Sequence, residues 1–319
     1  MHSNWLIPDA CKGLGKTAPF KDMKNLLNPS SLSSNFEVQS GTLYIVATPI
    51  GNWDDITLRA LKVLETVDVI AAEDTRKTGK LLAHYGIRGR LVSCHEHNEK
   101  ARTTELLQKL EAGLSVALVS DAGTPAVSDP GYHLVHSAVE QGVTVVPIPG
   151  VSAVIAALSV AGLPTDAFVF VGFLSKKQTR RIQQLHALAQ ETRTIIVYES
   201  PRRIVSLLRE MESVLGDRYA VLSREITKIH EEFIRGAFSQ IRMELDRRPT
   251  VKGECTLLIS GSRGPETVSM DTIRADIEKA FKANTGSLSS VVRDIVERYG
   301  VSKSKIYAEA LKLKDRMNS

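Results

Sequence analysis

The chain reads as a layered α/β protein with two α/β domains and a small all-helical tail. Two observations predict this. From Gly41 onward, short β-branched runs alternate with amphipathic stretches at helical spacing, the pattern of a largely parallel sheet. After Gly261-Ser262-Arg263-Gly264-Pro265 the β-branched runs stop, and only helical periodicity continues to the end. With 319 residues, 43% of them hydrophobic, the chain is large enough for about two domains.

In chain order, residues 1–40 form a polar leader. It has no apolar signal-peptide core, its composition is unlike an Arg/Ser-rich transit peptide, and Met23 is an alternative start. Candidate strands follow at 43–47, 69–72, 91–94, 116–120 and 144–148. Between them lie helices such as 57–67, where Ala60, Leu61, Leu64 and Val67 share a face, and 98–111. Gly162-Leu163-Pro164 ends a helix and blocks its continuation, so the N-terminal domain is expected over 41–163. The second domain, 164–262, has strands at 168–172, 195–198, 220–224, 232–235 and 255–260 and helices near 177–189, 202–215 and 239–246. Its adjacent strands suggest a mixed sheet.

The tail, 266–319, has three amphipathic helices. The first is lined by Ile273, Ile277, Ala280 and Phe281, and the second by Leu288, Val291, Val292, Ile295, Val296 and Tyr299. Ile306, Tyr307, Ala310 and Leu311 line the third. The turn Tyr299-Gly300-Val301-Ser302 supplies a Gly stop and a Ser cap, as in a helix-turn-helix. With 10 Lys/Arg against 7 Asp/Glu from Thr267 onward, the tail fits a structural bundle as well as a nucleic-acid reader.

Composition excludes several classes. The longest apolar block, 151–163, is shorter than the roughly 20 residues of a membrane span. Cys11, Cys94 and Cys255 are odd in number and far apart, which fits a reducing cytoplasm rather than a disulfide framework. The net charge of +5 is compatible with an anionic partner such as RNA. Gly13-Leu14-Gly15-Lys16-Thr17 imitates a P-loop but follows no strand, and position 10 is Ala. Cys94-His95-Glu96-His97 lacks a second spaced pair, so no metal is expected. No GxGxxG follows a strand, so the dinucleotide fingerprint is missing.

The informative segments are loops after strands, where ligands of α/β sheets bind. Thr48-Pro49-Ile50-Gly51-Asn52 follows the first strand, although a tight turn alone also explains it. Ser120-Asp121-Ala122-Gly123-Thr124-Pro125 follows the fourth. Asp129 as N-cap and Pro130 as first residue would open the next helix, leaving Asp121 free to bind a hydroxyl or cation. Pro147-Ile148-Pro149-Gly150-Val151-Ser152-Ala153 is a third strand-to-helix turn, whose Gly and Ser can bring amides and a hydroxyl to a ligand.

Together with Ala71-Ala72-Glu73-Asp74-Thr75-Arg76, Asp129-Pro130-Gly131-Tyr132-His133, Val197-Tyr198-Glu199-Ser200 and Ser223-Arg224-Glu225-Ile226-Thr227-Lys228, these segments resemble the tetrapyrrole methylase superfamily in kind and order. More narrowly they are similar to its branch that methylates a cytidine 2′-hydroxyl in the decoding region of 16S rRNA. The resemblance runs from about Gly41 to the C-terminus. It implies S-adenosylmethionine folded into a cleft between the two α/β domains. Pro49 and Gly51 would line its entry, and Asp121, Gly123 and Thr124 would hold its aminoacyl or ribose portion. Ser152 and Ala153 would add contacts, in a turn that varies in the family. Tyr198, Glu199 and Ser200 would face the cofactor from the second domain, with Gly253 and Glu254 near adenine. The resemblance also implies a cytoplasmic homodimer acting on 16S rRNA or the small ribosomal subunit, with neither DNA nor membrane as partner.

A ribose hydroxyl is a poor nucleophile while protonated, so a base or a cation is expected to contribute about 10²–10⁴-fold. Asp74, Glu96, His97, Glu199, Glu225 and Lys228 are candidates, and Arg76 could grip a phosphate. Of these, Asp74, Arg76, His97 and Glu199 are the catalytic assignments. Each is more readily explained as a surface charge or a salt bridge, and Asp74 and Arg76 could equally bond each other. Two other functions compete: methylation of a small tetrapyrrole-like metabolite, and non-catalytic RNA binding in assembly. The basic tail argues against the first and the intact Asp121 loop against the second.

Overall fold

The computed structural model describes residues 36–262, 270–282, 287–299 and 301–318. Outside them lie the leader up to residue 35, with Cys11, the P-loop-like stretch and Met23, most of the expected linker, and Gly300. The described residues form two compact units. The first takes the chain up to Val46, Leu58–Asp121 and Pro130–Ile148; the second takes Ala47–Thr57, Ala122–Asp129 and Pro149 onward.

The first unit alternates strand and helix: β1 (Thr42–Val46), α1 (Leu58–Thr66), β2 (Val69–Ala72), α2 (Thr75–His84), β3 (Leu91–Ser93), α3 (Glu99–Glu111), β4 (Val116–Val119), α4 (Tyr132–Glu140) and β5 (Thr144–Ile148). The sheet order is β3-β2-β4-β1-β5, all parallel. Parallel neighbours require crossovers, which cover both faces. The central strands Val69–Ala72 and Val116–Val119 are accordingly buried at every residue and apolar throughout. Pro147 fits because β5 is an edge strand, where a missing N–H breaks no second ladder. Leu106, Leu110, Leu134 and Ala138 pack on Leu43, Val69, Val116 and Leu118. From β1 the chain crosses to one side of the sheet and from β4 to the other, although these two strands are adjacent. That arrangement is a topological switch point at their carboxyl ends.

Asp129 does not cap α4. Gly131 takes the N-cap with φ +126, a conformation costly for any residue with a Cβ. Its N–H and that of His133 donate to Glu99 Oε1 at 3.0 and 2.9 Å. The cap is therefore a carboxylate from α3 rather than a local side chain.

In the second unit α5 (Ala153–Ala161) precedes β6 (Phe168–Phe173), α6 (Gln178–Leu188), β7 (Thr194–Glu199), α7 (Ile204–Leu215), β8 (Tyr219–Arg224), β9 (Glu232–Ala237), α8 (Phe238–Asp246) and β10 (Cys255–Ile259). The sheet order is β6-β7-β10-β8-β9. Only β6 and β7 are parallel, so the sheet is mixed. Period-two alternation divides its side chains between two cores. Ile195 and Val197 pack with Leu185, Leu207, Met211, Phe238 and Ile241 from α6 to α8. Ile196, Val221 and Leu258 pack with Val154, Ala157, Leu158 and Ala161. Thus α5, which the sequence reading places in the N-terminal domain, buries its face on the second sheet.

The tail forms α9 (Met270–Lys282), α10 (Leu288–Tyr299) and α11 (Lys303–Asn318) around Ile273, Ile277, Val291, Val292, Ile295, Ile306, Ala310 and Leu313. On α11 the buried stripe is 306, 310 and 313, at i, i+4 and i+7, so Tyr307 and Leu311 face outward instead of lining the core. Among the described residues, no helix is long and apolar enough to cross a membrane.

Candidate functional site

In the first unit, charge gathers where β2 and β4 end. Asp74 is the N-cap of α2. Its Oδ1 accepts the Arg76 N–H at 2.9 Å and Nε at 3.0 Å, and its Oδ2 accepts Nη2 at 2.7 Å. Hydrogen bonds from Arg76 hold this carboxyl well below the usual carboxylate range. The sequence reading places Asp74 and Arg76 just past a strand and names no helix between 72 and 91. Gly79 and the polar turn Thr75-Arg76-Lys77-Thr78 obscure the periodicity of α2.

Asp121, which the sequence leaves without a cap to make, is engaged all the same. Its Oδ1 accepts the Asp74 N–H at 3.1 Å and its Oδ2 accepts Lys77 Nζ at 2.6 Å. Its own N–H donates to Glu73 Oε2 at 3.1 Å. The bond to Asp121 raises the Lys77 pKa despite some burial. Lys77 lies just outside the motif at 71–76, and Glu73 lies within it but was given no role. Their signal was their position, on either side of a helix cap beyond a strand. His97 and Glu96 are exposed after β3, and the His97 ring lies 6.0 Å from that of His95. Among the described residues, no group of three His, Cys, Asp or Glu is arranged to hold a metal.

In the second unit the loops 47–57 and 122–129 are joined directly. Thr48 and Gly123 exchange both backbone hydrogen bonds at 2.9 Å, with Gly123 at φ +80. Pro49 is buried and Thr124 half-buried. Gly51 is needed for a close approach: a Cβ there would lie 2.5 Å from Lys228 Cγ and 2.7 Å from Thr227 Oγ1. The Asn52 N–H donates to Thr227 Oγ1 at 3.0 Å, tying this turn to the loop after β8. Non-glycine residues with positive φ occur only in these two regions among the described residues: Ala126 and Ser128, then Glu225 and Thr227. Such strain persists only where surrounding contacts enforce it, and it gathers at ligand sites.

Further polar groups lie at the end of β7, at the start of α5 and in the loop after β8. Tyr198 is half-buried, its ring 5.0 Å from that of Phe170 and 5.5 Å from that of Phe173. Burial, with the charges of Asp129 and Glu254, pushes its phenol up to about 12, although the Val154 amide hydrogen-bonds to it. Ser152 is the N-cap of α5 but makes no side-chain cap bond. Glu199 is 2% exposed, and its Oε1 accepts the Ser200 N–H at 2.6 Å and Arg203 Nε at 2.8 Å. Its Oε2 is buried with no hydrogen-bond partner. Glu225 Oε1 accepts Lys228 Nζ at 2.8 Å and the Glu254 N–H at 3.0 Å, and Lys228 also reaches Glu254 Oε2 at 3.2 Å. Burial lowers the Lys228 pKa, but its two carboxylates more than offset this and leave it raised. Gly253, at φ +95, packs on Glu225, whose side chain a Cβ would overlap.

The structure thus gathers Pro49, Gly51, Gly123, Thr124, Ser152, Ala153, Tyr198, Ser200, Gly253 and Glu254 in one unit, and Asp74, Arg76, His97 and Asp121 in the other. Asp129 and Phe173, both beside Tyr198, carried no sequence signal for that position.

The profile of Tetrapyrrole (Corrin/Porphyrin) Methylases matches residues 42–242. Proteins named ribosomal RNA small subunit methyltransferase I align over nearly their whole length. That of Synechocystis sp. is 46% identical over 276 residues, 86% of this chain and 98% of that protein. That of Halalkalibacterium halodurans is 48% identical over 272 residues, 84% and 93% of the two chains. Among solved structures, the methyltransferase CobJ superposes with a TM-score of 0.54 at 18% identity, covering 70% of this chain and 95% of its own. Cobalt precorrin-4 methyltransferase does so with 0.52 at 21%, covering 69% and 95%. At such identities the structural likeness is one of fold, whereas the sequence relatives are close and nearly full-length. The chain therefore belongs to the tetrapyrrole methylase family, in its ribosomal RNA small subunit methyltransferase I group.

Proposed function

We propose that this protein is an S-adenosylmethionine-dependent rRNA methyltransferase that methylates the ribose 2′-hydroxyl of a cytidine in the decoding region of 16S rRNA. The observation carrying this reading is its near-full-length similarity, at 43–48% identity, to proteins named for small-subunit rRNA methylation. The donors of the second unit suit the cofactor, with hydroxyls at Thr124 and Ser152, the aromatic ring of Tyr198 and a helix N-terminus without a side-chain cap, and the first unit offers a carboxylate at Asp121. When bound, S-adenosylmethionine supplies a methyl group already activated on its sulfonium.

The protein's own residues then have to bind, orient and deprotonate. Pro49, Gly51, Gly123, Ala153, Ser200, Gly253 and Glu254 shape and contact the cofactor. Asp121 would help to hold it through the carboxylate that Lys77 now engages. Arg76, whose side chain is 86% exposed while paired to Asp74, offers its guanidinium to a phosphate. Glu199 orients Ser200 and Arg203 from below the surface. Asp74, Glu225 and Lys228 are held by internal ion pairs, so the exposed His97 is assigned the proton of the 2′-hydroxyl. On α11, Lys303, Lys305, Lys312 and Lys314 face outward toward an anionic particle. The protein acts in the cytoplasm as a homodimer.

The test is transfer of labelled methyl from S-adenosylmethionine to small ribosomal subunits lacking the modification, with nuclease mapping and an Asp121→Ala control. Label in 2′-O-methylcytidine, lost in the control, supports the reading. Cofactor binding without label in RNA refutes it and turns attention to small-molecule acceptors.

A further inference from the structure

Phe173 is the last residue of β6, 57% exposed, and directly opposite Tyr198 in the parallel register. In an unbroken strand, residues 170 and 173 would face opposite sides of the sheet. A bulge between Phe170 and Gly172, with Gly172 at φ +70, adds one residue, so both rings lie against that of Tyr198. Gly172 is required here, since a Cβ would lie 2.7 Å from Ser128 Oγ. The backbone is therefore built to turn an aromatic face outward beside Tyr198.

The chain that follows adds charge. Lys176, Lys177 and Arg180 are exposed, and among the described residues none of them enters an ion pair. Their neighbour Arg181 behaves oppositely. Nearly buried, it is held by Glu210 at 2.6 and 2.7 Å, and its Nη1 donates to the carbonyls of Ser175 and Lys176 at 2.9 and 3.1 Å. The Ser175 N–H donates to Gln184 Oε1 at 2.9 Å. The loop backbone is thus fixed from beneath while its cations point to solvent.

We propose that Phe173 is a stacking platform for an unpaired base of the RNA substrate, at or next to the methylated nucleotide, with Lys176, Lys177 and Arg180 on the adjoining phosphates. An exposed aromatic ring beside unpaired cations is the combination that recognises single-stranded RNA, since every base offers a π face and every nucleotide a phosphate. The assignment rests on the rRNA methyltransferase reading above and adds the residues that hold the substrate strand.

The test compares Phe173→Ala, Phe173→Leu and Phe173→Trp with wild type in methyl transfer to small subunits lacking the modification. S-adenosylmethionine affinity is measured by calorimetry and oligomeric state by light scattering. Loss of one stacked base lowers kcat/KM for subunits about 10- to 100-fold in the Ala and Leu variants, through KM. Trp stays within a few-fold, and cofactor affinity and oligomeric state do not change. The triple Lys176→Ala, Lys177→Ala, Arg180→Ala variant flattens the log-affinity against log-salt slope by about 2. The proposal is overturned if Ala matches wild type within two-fold or if Leu restores activity. It is also overturned if the loss follows cofactor affinity or dissociation of the protein into smaller assemblies. If wild type labels no RNA, the rRNA reading itself fails and this one with it. If wild type labels RNA and Phe173→Ala does so equally well, only the stacking assignment fails.

Discussion

Glu99 is 7% exposed and uses one oxygen to accept two backbone amides at the start of α4, so its removal tests whether that helix is held from α3. A hydrogen bond to a charged group contributes about 1.5–3 kcal/mol, so the pair together contributes about 3–6 kcal/mol. His133 lies at the surface, where water can replace its lost partner, whereas Gly131 is buried and would be left unsatisfied. Glu99→Ala is therefore expected to destabilise the first unit by about 2–4 kcal/mol. Glu99→Gln keeps an acceptor of the same reach without the charge, and about half that cost is expected. Urea denaturation of the two variants, with amide exchange at residues 131–135, measures both effects. An Ala variant within about 1 kcal/mol of wild type, with unchanged exchange at Gly131 and His133, would refute the cross-helix cap.

Other perturbations give equally definite outcomes. Hydrogen bonds from Arg248, then Arg224, outweigh burial and lower the Glu232 carboxyl to about 2. Because the folded value is depressed, this stabilisation is complete above the unfolded carboxylate range and is lost as pH falls from about 4.5 toward 2. Glu232→Gln is expected to flatten the acid limb of the stability profile in that window, as read by denaturant midpoints. Gly253→Ala combines a φ of +95 with overlap of Glu225, so a loss above about 1 kcal/mol is expected, together with weaker cofactor binding by calorimetry. His97→Ala is expected to lower kcat by about 10²–10⁴-fold while leaving S-adenosylmethionine affinity intact; a variant with wild-type kcat would move the proton to another group.

Much of the architecture was legible in the residues. Val69-Ile70-Ala71-Ala72 and Val116-Ala117-Leu118-Val119 are apolar without alternation because both faces of a central parallel strand are covered. The loops after strands pointed to Asp121 and Gly51 because a layered sheet presents its strand ends to ligands, and the motif order pointed to the family confirmed by the profile. What a local pattern could not reveal was partnership at long range. The bond between Asp74 and Arg76 was open to a local reading, but Asp121 turned out to engage Lys77, a residue 44 positions away. The cap of α4 is Gly131 instead of Asp129, and the N–H of Gly131 donates to Glu99, a carboxylate of another helix. Phe173 reads in sequence as one more apolar strand residue. Only the bulge in β6, set by the pairing of that strand with β7 and the approach of Ser128 to Gly172, turns its ring outward beside Tyr198. Periodicity records which face of an element is apolar, whereas the direction of a side chain after a bulge and the partner of a charge depend on register and packing, which arise only when distant segments meet.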